Sequence, residues 1–300
     1  MPLPMPGNRL RALFARKRAL PILGVPNALH AMIMQAAGFE AGFVGAAGTV
    51  GNYTGFSNTS VASMTELVGI GGYIARSVSF PIVLDGDTGP GSLTALQRMV
   101  EDCIRAGLAC VRFEDQPAGR KRQAAGRIEI VPRQEAVVRL RAAIEVRDRL
   151  APDFVIAAKT YARDATGGGL AEGIERLNLY RDAGVDFLNF MSPQSLDEIG
   201  EVRRRVSGVL AIVGGPRLTL QQADDLGISA AWFTGELDKV LQLASWEFLK
   251  AFRADDAAAW ETVARDHAAG LAELETLGLL SERGLKELEE RLMNSPLPKA

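Results

Sequence analysis

The feature that most constrains this chain is an alternation. Short apolar runs and longer amphipathic stretches take turns eight times between residues 21 and 252. The apolar runs predict strands over 21–25, 41–44, 81–84, 108–113, 154–159, 187–190, 209–213 and 228–233. Between them, helical spacing covers 28–37, 65–77, 92–105, 134–150, 171–182, 196–206 and 219–226, and a last helix spans 237–252. The runs are nearly continuous in apolar residues, as strands buried on both faces are. Eight such units predict an α/β fold, a parallel (β/α)8 TIM barrel, rather than a doubly wound sheet. The expected organisation is a barrel domain over 1–255 and a helical extension over 256–300. A short helix at 10–17 precedes the first strand. The extension carries Leu271, Leu274, Leu277, Leu279 and Leu280 on one or two further helices, a pattern suited to contact between subunits.

Composition narrows the class. A net charge of −2 gives no pull toward nucleic acid or an anionic membrane. No apolar run reaches the length of a membrane span. The basic N-terminal stretch is not that of a signal peptide, and Cys103 and Cys110 alone make no disulfide framework. The expectation is a soluble cytoplasmic protein.

In barrels of this kind active sites sit at the C-terminal strand ends. Two of those ends carry acids. Pro81-Ile82-Val83-Leu84 runs into Asp85-Gly86-Asp87-Thr88-Gly89-Pro90-Gly91, and Leu108-Ala109-Cys110-Val111-Arg112-Phe113 runs into Glu114-Asp115. Asp85, Asp87 and Glu114, with Asp115 adjacent, offer the oxygen ligands that Mg²⁺ or Mn²⁺ takes. The alternative is that these acids only cap helices or pair with Arg112 and Lys159. Two stretches without periodicity, 45–60 and 114–130, have the length of functional loops. The second carries Arg120-Lys121-Arg122 and suits a gate over an anionic substrate.

With these motifs the chain resembles the isocitrate lyase / phosphoenolpyruvate mutase superfamily, close to methylisocitrate lyases. The family has Asp-Ala-Asp-x-Gly-x-Gly where this chain has the run from Asp85 to Gly91, and Glu-Asp-Gln or Glu-Asp-Lys where it has Glu114-Asp115-Gln116. The segments 152–160 and 181–186 are similar as well, so the resemblance covers roughly 20–250. It implies that Asp85 ligates Mg²⁺ directly, with Asp87 and Glu114 acting through waters. It implies a small 2-oxo or 2-hydroxy carboxylic acid substrate, with its carboxylate against the backbone of Gly45 and Ala46 beside Phe43, and with Lys159 where the family has arginine. The implied chemistry is carbon–carbon cleavage or decarboxylation through a metal-stabilised enolate. The implied assembly is a homotetramer or dimer that exchanges C-terminal helices.

Departures from the family pattern fall on proton transfer. Gln123 stands where the lyases have a cysteine, and no histidine follows. Asn58 stands where the mutases have an aspartate, and Ser192 is the nearest polar residue at the sixth strand end. Proton donors in reach of the pattern are Tyr161, Tyr53 and Lys121. Three readings follow: a carbon–carbon lyase or decarboxylase; a C–P bond enzyme such as a phosphonopyruvate hydrolase or phosphonomutase; or a divergent member with a new substrate or a binding role. A rival class, a phosphate-binding barrel using Gly214-Gly215 and Thr234-Gly235, has no use for the acids. His30, Cys103 and Cys110 read as structural, and His267 as exposed.

Overall fold

The apolar runs do form strands, and the strands close. The computed structural model describes residues 5–16, 18–45, 48–56, 61–118, 128–278 and 282–295. Strands β1 (Leu20–Gly24), β2 (Gly42–Val44), β3 (Ile82–Asp85), β4 (Cys110–Glu114), β5 (Val155–Thr160), β6 (Phe187–Met191), β7 (Val209–Val213) and β8 (Ala230–Phe233) follow in sequence order around a closed barrel. Every neighbouring pair is parallel, including β1 with β8. This is the predicted (β/α)8 architecture.

Strand alternation sorts side chains into two cores. Outward residues such as Ile82, Leu84, Val111, Phe113, Ile156, Leu188 and Leu210 pack under the helices. Inward residues Leu20, Ile22, Phe43, Val83, Cys110, Val155, Ala157, Phe187 and Ala211 fill the barrel. Each large apolar side chain buried this way contributes about 1.5–3 kcal/mol. Helix α1 (Pro6–Phe14) adds Leu10 and Leu13 to the inner core. Phe14 meets Phe187 at 4.5 Å, and Arg11 ties the helix to the carbonyls of Asp153 and Phe154, at the start of β5. The N-terminal end of the barrel is thereby plugged.

Surrounding the strands are α2 (Ala28–Ala36), α4 (Met64–Ser77), α5 (Leu93–Arg105), α6 (Arg133–Leu150), α7 (Leu170–Asp182), α8 (Leu196–Arg205), α9 (Leu220–Asp225) and the start of α10 (Glu236–Asp255). Their starts follow local chemistry. Asn27, Ser63, Ser92, Ser195 and Thr219 each accept a backbone N–H of the first turn, and Ser63–Glu66 is a full capping box. Each cap is worth about 1 kcal/mol.

Two expectations need correction. The stretch 45–60 is not all loop: α3 (Gly48–Thr54) forms within it. Thr49 donates to the Val25 carbonyl and Asn52 to Asp238, tertiary anchors that periodicity does not report. The C-terminal stretch holds three helices rather than one or two: α11 (Ala257–Asp266), α12 (Ala268–Thr276) and α13 (Glu282–Met293). The chain divides into two compact units, Met1–Asp238 and Lys239–Ala300. Within the second, α10 exposes Val240, Leu243, Trp246, Leu249 and Phe252 at helical spacing. Among the described residues no helix is long and apolar enough to cross a membrane.

Candidate active site at the C-terminal mouth of the barrel

Asp85 is the last residue of β3, and the chain turns sharply after it. Asp87 sits in the left-handed region at φ 51°, and its N–H donates to Asp85 Oδ1 at 3.3 Å. The Thr88 N–H donates back to Asp87 Oδ1 at 2.8 Å, and Gly89 closes the turn at φ 67° onto the Gly86 carbonyl. A side chain at Gly86 would strike Phe113 and Val111 at under 3 Å, so only glycine fits between the two acids. The turn is stitched to β4: Gly86 donates to the Arg112 carbonyl (2.8 Å), and Glu114 donates to the Asp87 carbonyl (2.9 Å). Among the described residues, one other non-glycine residue at a strand end, Ser192 after β6, has positive φ (57°). Such backbone outliers cluster at functional sites.

Asp85, Asp87 and Glu114 are all buried, and so are two bases facing them, Arg112 and Lys159. Arg112 Nη2 lies 3.1 Å from Asp85 Oδ2, and Lys159 Nζ lies 2.8 Å from Glu114 Oε2. Register explains both: Asp85 is opposite Arg112, and Glu114 is opposite Lys159. The ion pairs weighed against a metal site therefore exist, in the same place as the acids that would hold one. Beneath them an aromatic column rises from the plug: Phe187 to Trp232 (6.0 Å), then Trp232 to Phe43 (4.6 Å). The Arg112 guanidinium lies 4.5 Å from the Phe43 ring centre and 4.8 Å from that of Trp232.

The structure places the other expected residues unevenly. Tyr161 follows β5, buried, with its ring 4.8 Å from Lys159 Nζ. Phe43 is inside the barrel, stacked on Arg112. The Gly45 N–H donates to Thr49 Oγ1 (3.2 Å), so it is engaged within its own turn. Tyr53 is half exposed on α3. Ala46, Asn58, Lys121 and Gln123 lie outside the described residues.

Asp115 is not part of the acid group. It faces away from the barrel axis, where Oδ2 accepts from Thr160 Oγ1 (2.7 Å), Tyr180 (2.9 Å) and Arg176 (3.3 Å), and Oδ1 accepts from the Tyr161 N–H (2.9 Å). Burial pushes its carboxyl above the ordinary value; the bonds from Thr160 and Tyr161 and the Arg176 charge pull the other way. Its backbone carbonyl accepts from Val131 (2.8 Å), so it pins both ends of the stretch between β4 and α6. Sequence reasoning also missed Trp232 and the inward aim of Arg112. The signal for Arg112 was present: it is two residues before Glu114 on one strand, hence on the same face.

On the other side of the mouth a cavity of about 200 Å³ is lined by Ile212, Gly214, Gly215, Trp232 and Thr234. Arg217 and Glu236 also line it, and the exposed Arg217 is paired with Glu236 at 3.3 Å. The cysteines are buried and their thiols are pushed up by burial, so neither is a nucleophile.

The oxygen-only donor set of Asp85, Asp87 and Glu114 is what a hard divalent cation takes. Among the described residues, no three side chains of metal-ligand type converge on one point. The fit therefore rests on the donor chemistry of the three carboxylates and not on a formed cage.

A closed parallel barrel with buried acids and bases at its C-terminal mouth defines a (β/α)8 enzyme. The family model described as phosphoenolpyruvate phosphomutase matches residues 10–245, and the chain belongs to this phosphoenolpyruvate mutase / isocitrate lyase superfamily. It is 30% identical to the 2,3-dimethylmalate lyase of Eubacterium barkeri over 84% of this chain and 87% of that protein. It is also 30% identical to the 2-methylisocitrate lyase of Escherichia coli (strain K12), over 86% of this chain and 83% of that protein. The solved structure of oxaloacetate acetylhydrolase with the inhibitor 3,3-difluorooxalacetate superposes with a TM-score of 0.79 at 25% identity, covering 91% of this chain and 98% of that one. The chain is an enzyme of this lyase and mutase class, whose named members act on small carboxylic acids.

Proposed function

We propose that the protein is a Mg²⁺-dependent lyase or decarboxylase. It cleaves a carbon–carbon bond of a small 2-hydroxy or 2-oxo carboxylic acid. The observation that carries this reading is the pairing of two acid-bearing strand ends with two buried bases, Asp85 with Arg112 and Glu114 with Lys159. Asp85 would hold the ion directly, and Asp87 and Glu114 would orient its waters; Mn²⁺ suits the same oxygens. When bound, the ion supplies positive charge where an oxyanion develops at the substrate's C2. Lys159 would hold the substrate carboxylate as a point charge rather than a fork. Tyr161, beside Lys159 on the mouth side of β5, would deliver the proton that the carbanion takes as the bond breaks and, with a 2-hydroxy acid, would be reprotonated by the proton that the C2 hydroxyl gives up. The relatives' names support small dicarboxylic or tricarboxylic acids as the substrate class.

The test is an NMR time course with Mg²⁺ over oxaloacetate, 2,3-dimethylmalate, methylisocitrate, citramalate and phosphonopyruvate, each with an EDTA control. The expected result is EDTA-sensitive release of pyruvate or another 2-oxo acid from one of the carbon acids, lost in Asp85→Ala along with Mn²⁺ binding. Turnover of phosphonopyruvate alone would move the enzyme to C–P chemistry, and unchanged Mn²⁺ affinity in Asp85→Ala would sink the reading. The exposed apolar row on α10 supports a homotetramer or dimer. A monomeric mass by light scattering would remove that part.

A further inference from the structure

Three buried N–H donors stand on neighbouring side chains of the barrel just below the mouth, on strands β4, β6 and β8. Arg112 Nε, Asn189 Nδ2 and Trp232 Nε1 are each shielded from solvent, and none has an acceptor among the described residues. Buried polar groups are nearly always paired, and leaving one unpaired costs about 1–3 kcal/mol. Three in one cluster calls for a ligand. They do form one cluster: the guanidinium of Arg112 stacks 4.8 Å from the Trp232 ring, and its Nη1 lies 3.5 Å from Asn189 Oδ1. That last contact settles the amide. With its oxygen toward a guanidinium, Asn189 must turn its NH₂ elsewhere.

The charges of the mouth call for one anion, and the donors for a further acceptor group. Asp85, Asp87 and Glu114 against Arg112 and Lys159 sum to one negative charge. A divalent cation brings that to one positive. Low dielectric makes an uncompensated charge costly there, so the loaded site favours an anion. Lys159 meets one carboxylate of a substrate. The β8 donor, Trp232, also lines the cavity that touches Gly214 and Thr234. The first carboxylate cancels that charge, and what remains is three N–H donors, one of them on a guanidinium, for a group that presents only acceptors; a carboxylate is such a group.

We propose that Asn189 and Trp232 form a subsite for a second, distal carboxylate of the substrate, with Arg112 as the buried charge behind them. The inference rests on the carboxylic-acid reading above and goes beyond it: it names the residues that would make the enzyme select dicarboxylates over monocarboxylates. Ser192, held at positive φ by its N–H to the Val213 carbonyl (2.8 Å), places the end of β6 beside the same cavity wall.

The test compares two probes that differ only in the distal group, L-lactate and L-malate, with oxalate as a probe of the cation end alone. Binding to the Mn²⁺-loaded protein is read by calorimetry. Trp232→Phe removes the N–H and keeps a ring against Arg112, and Asn189→Leu removes the amide. Wild-type protein should bind malate at least about tenfold tighter than lactate. Each variant should cut that ratio by about tenfold, leaving lactate, oxalate and Mn²⁺ affinities unchanged. A ratio untouched in both variants overturns the subsite and leaves the function standing, because oxalate and Mn²⁺ still bind. Loss of all ligands in the wild type overturns the carboxylic-acid reading itself, and the subsite with it. Equal loss of lactate and malate in the variants means a structural role for the donors, which also overturns the proposal. Thermal melts of both variants separate misfolding from lost recognition.

Discussion

Glu114 and Asp115 are neighbours in the chain and opposites in the fold. Glu114 turns into the barrel and meets Lys159 at 2.8 Å beside the turn that carries Asp85 and Asp87. Asp115 turns outward and accepts from Thr160, Tyr161, Arg176 and Tyr180 at once. Both are buried, and both would cost several kcal/mol if ionised alone. The outward one is surrounded by fixed donors, so it can hold structure and do little else. The inward one shares a mouth with two other acids and two bases, an arrangement able to reorganise around a cation and a substrate. A carboxylate's neighbours, more than its depth, separate the scaffold from the site.

The sharpest way to break that comparison is to remove each acid. Asp115→Ala strands the buried Arg176 and Tyr180, and should cost about 3–5 kcal/mol in urea denaturation. Glu114→Gln keeps shape and one acceptor for Lys159. It should cost only about 1–2 kcal/mol of stability but lower turnover more than about a hundredfold. Equal stability losses in the two variants would erase the distinction.

A smaller effect comes from the ion pairs that surround the Asp115 hub. Hydrogen bonds from Arg133, then Arg176, hold the Glu172 carboxyl down to about 2. A carboxyl depressed in the folded state stabilises above its unfolded value and loses that contribution as pH falls toward its folded value. Glu172 is partly solvated, so screening leaves about 1 kcal/mol at neutral pH. Glu172→Gln should therefore be less stable than wild type by about that much at pH 7, with the gap closing between roughly pH 4.5 and 2. A gap constant with pH would mean that packing, not charge, is what Glu172 supplies. Asp115, raised by burial, contributes with the opposite sign: its share falls as pH rises through its folded value.

Much of the site was legible in one dimension because a strand has a period of two and a barrel has one active end. Those two facts are enough to put Asp85, Asp87 and Glu114 at a common mouth. The glycines between and after the acids told of the turn, since Gly86 has no room for a side chain and Gly89 needs positive φ. Asp115 stood beside the group in sequence, and that adjacency gave no sign of its opposite direction. Helix α3 was missed because its anchors, Val25 and Asp238, are far away in the chain.

What the sequence by itself determined is the alternation of strands and helices, the acids at two strand ends, and the family those motifs belong to. Local periodicity and turn chemistry depend on near neighbours, and near neighbours are what a sequence lists. Tertiary structure alone decided which charges meet: Asp85 with Arg112, Glu114 with Lys159, and Asp115 with Arg176 on α7. It also decided that Trp232 from β8 stacks on Arg112 from β4, across the barrel. Register sets the strand-to-strand pairs, and ring closure brings Arg112 and Trp232, more than a hundred positions apart, to one buried floor.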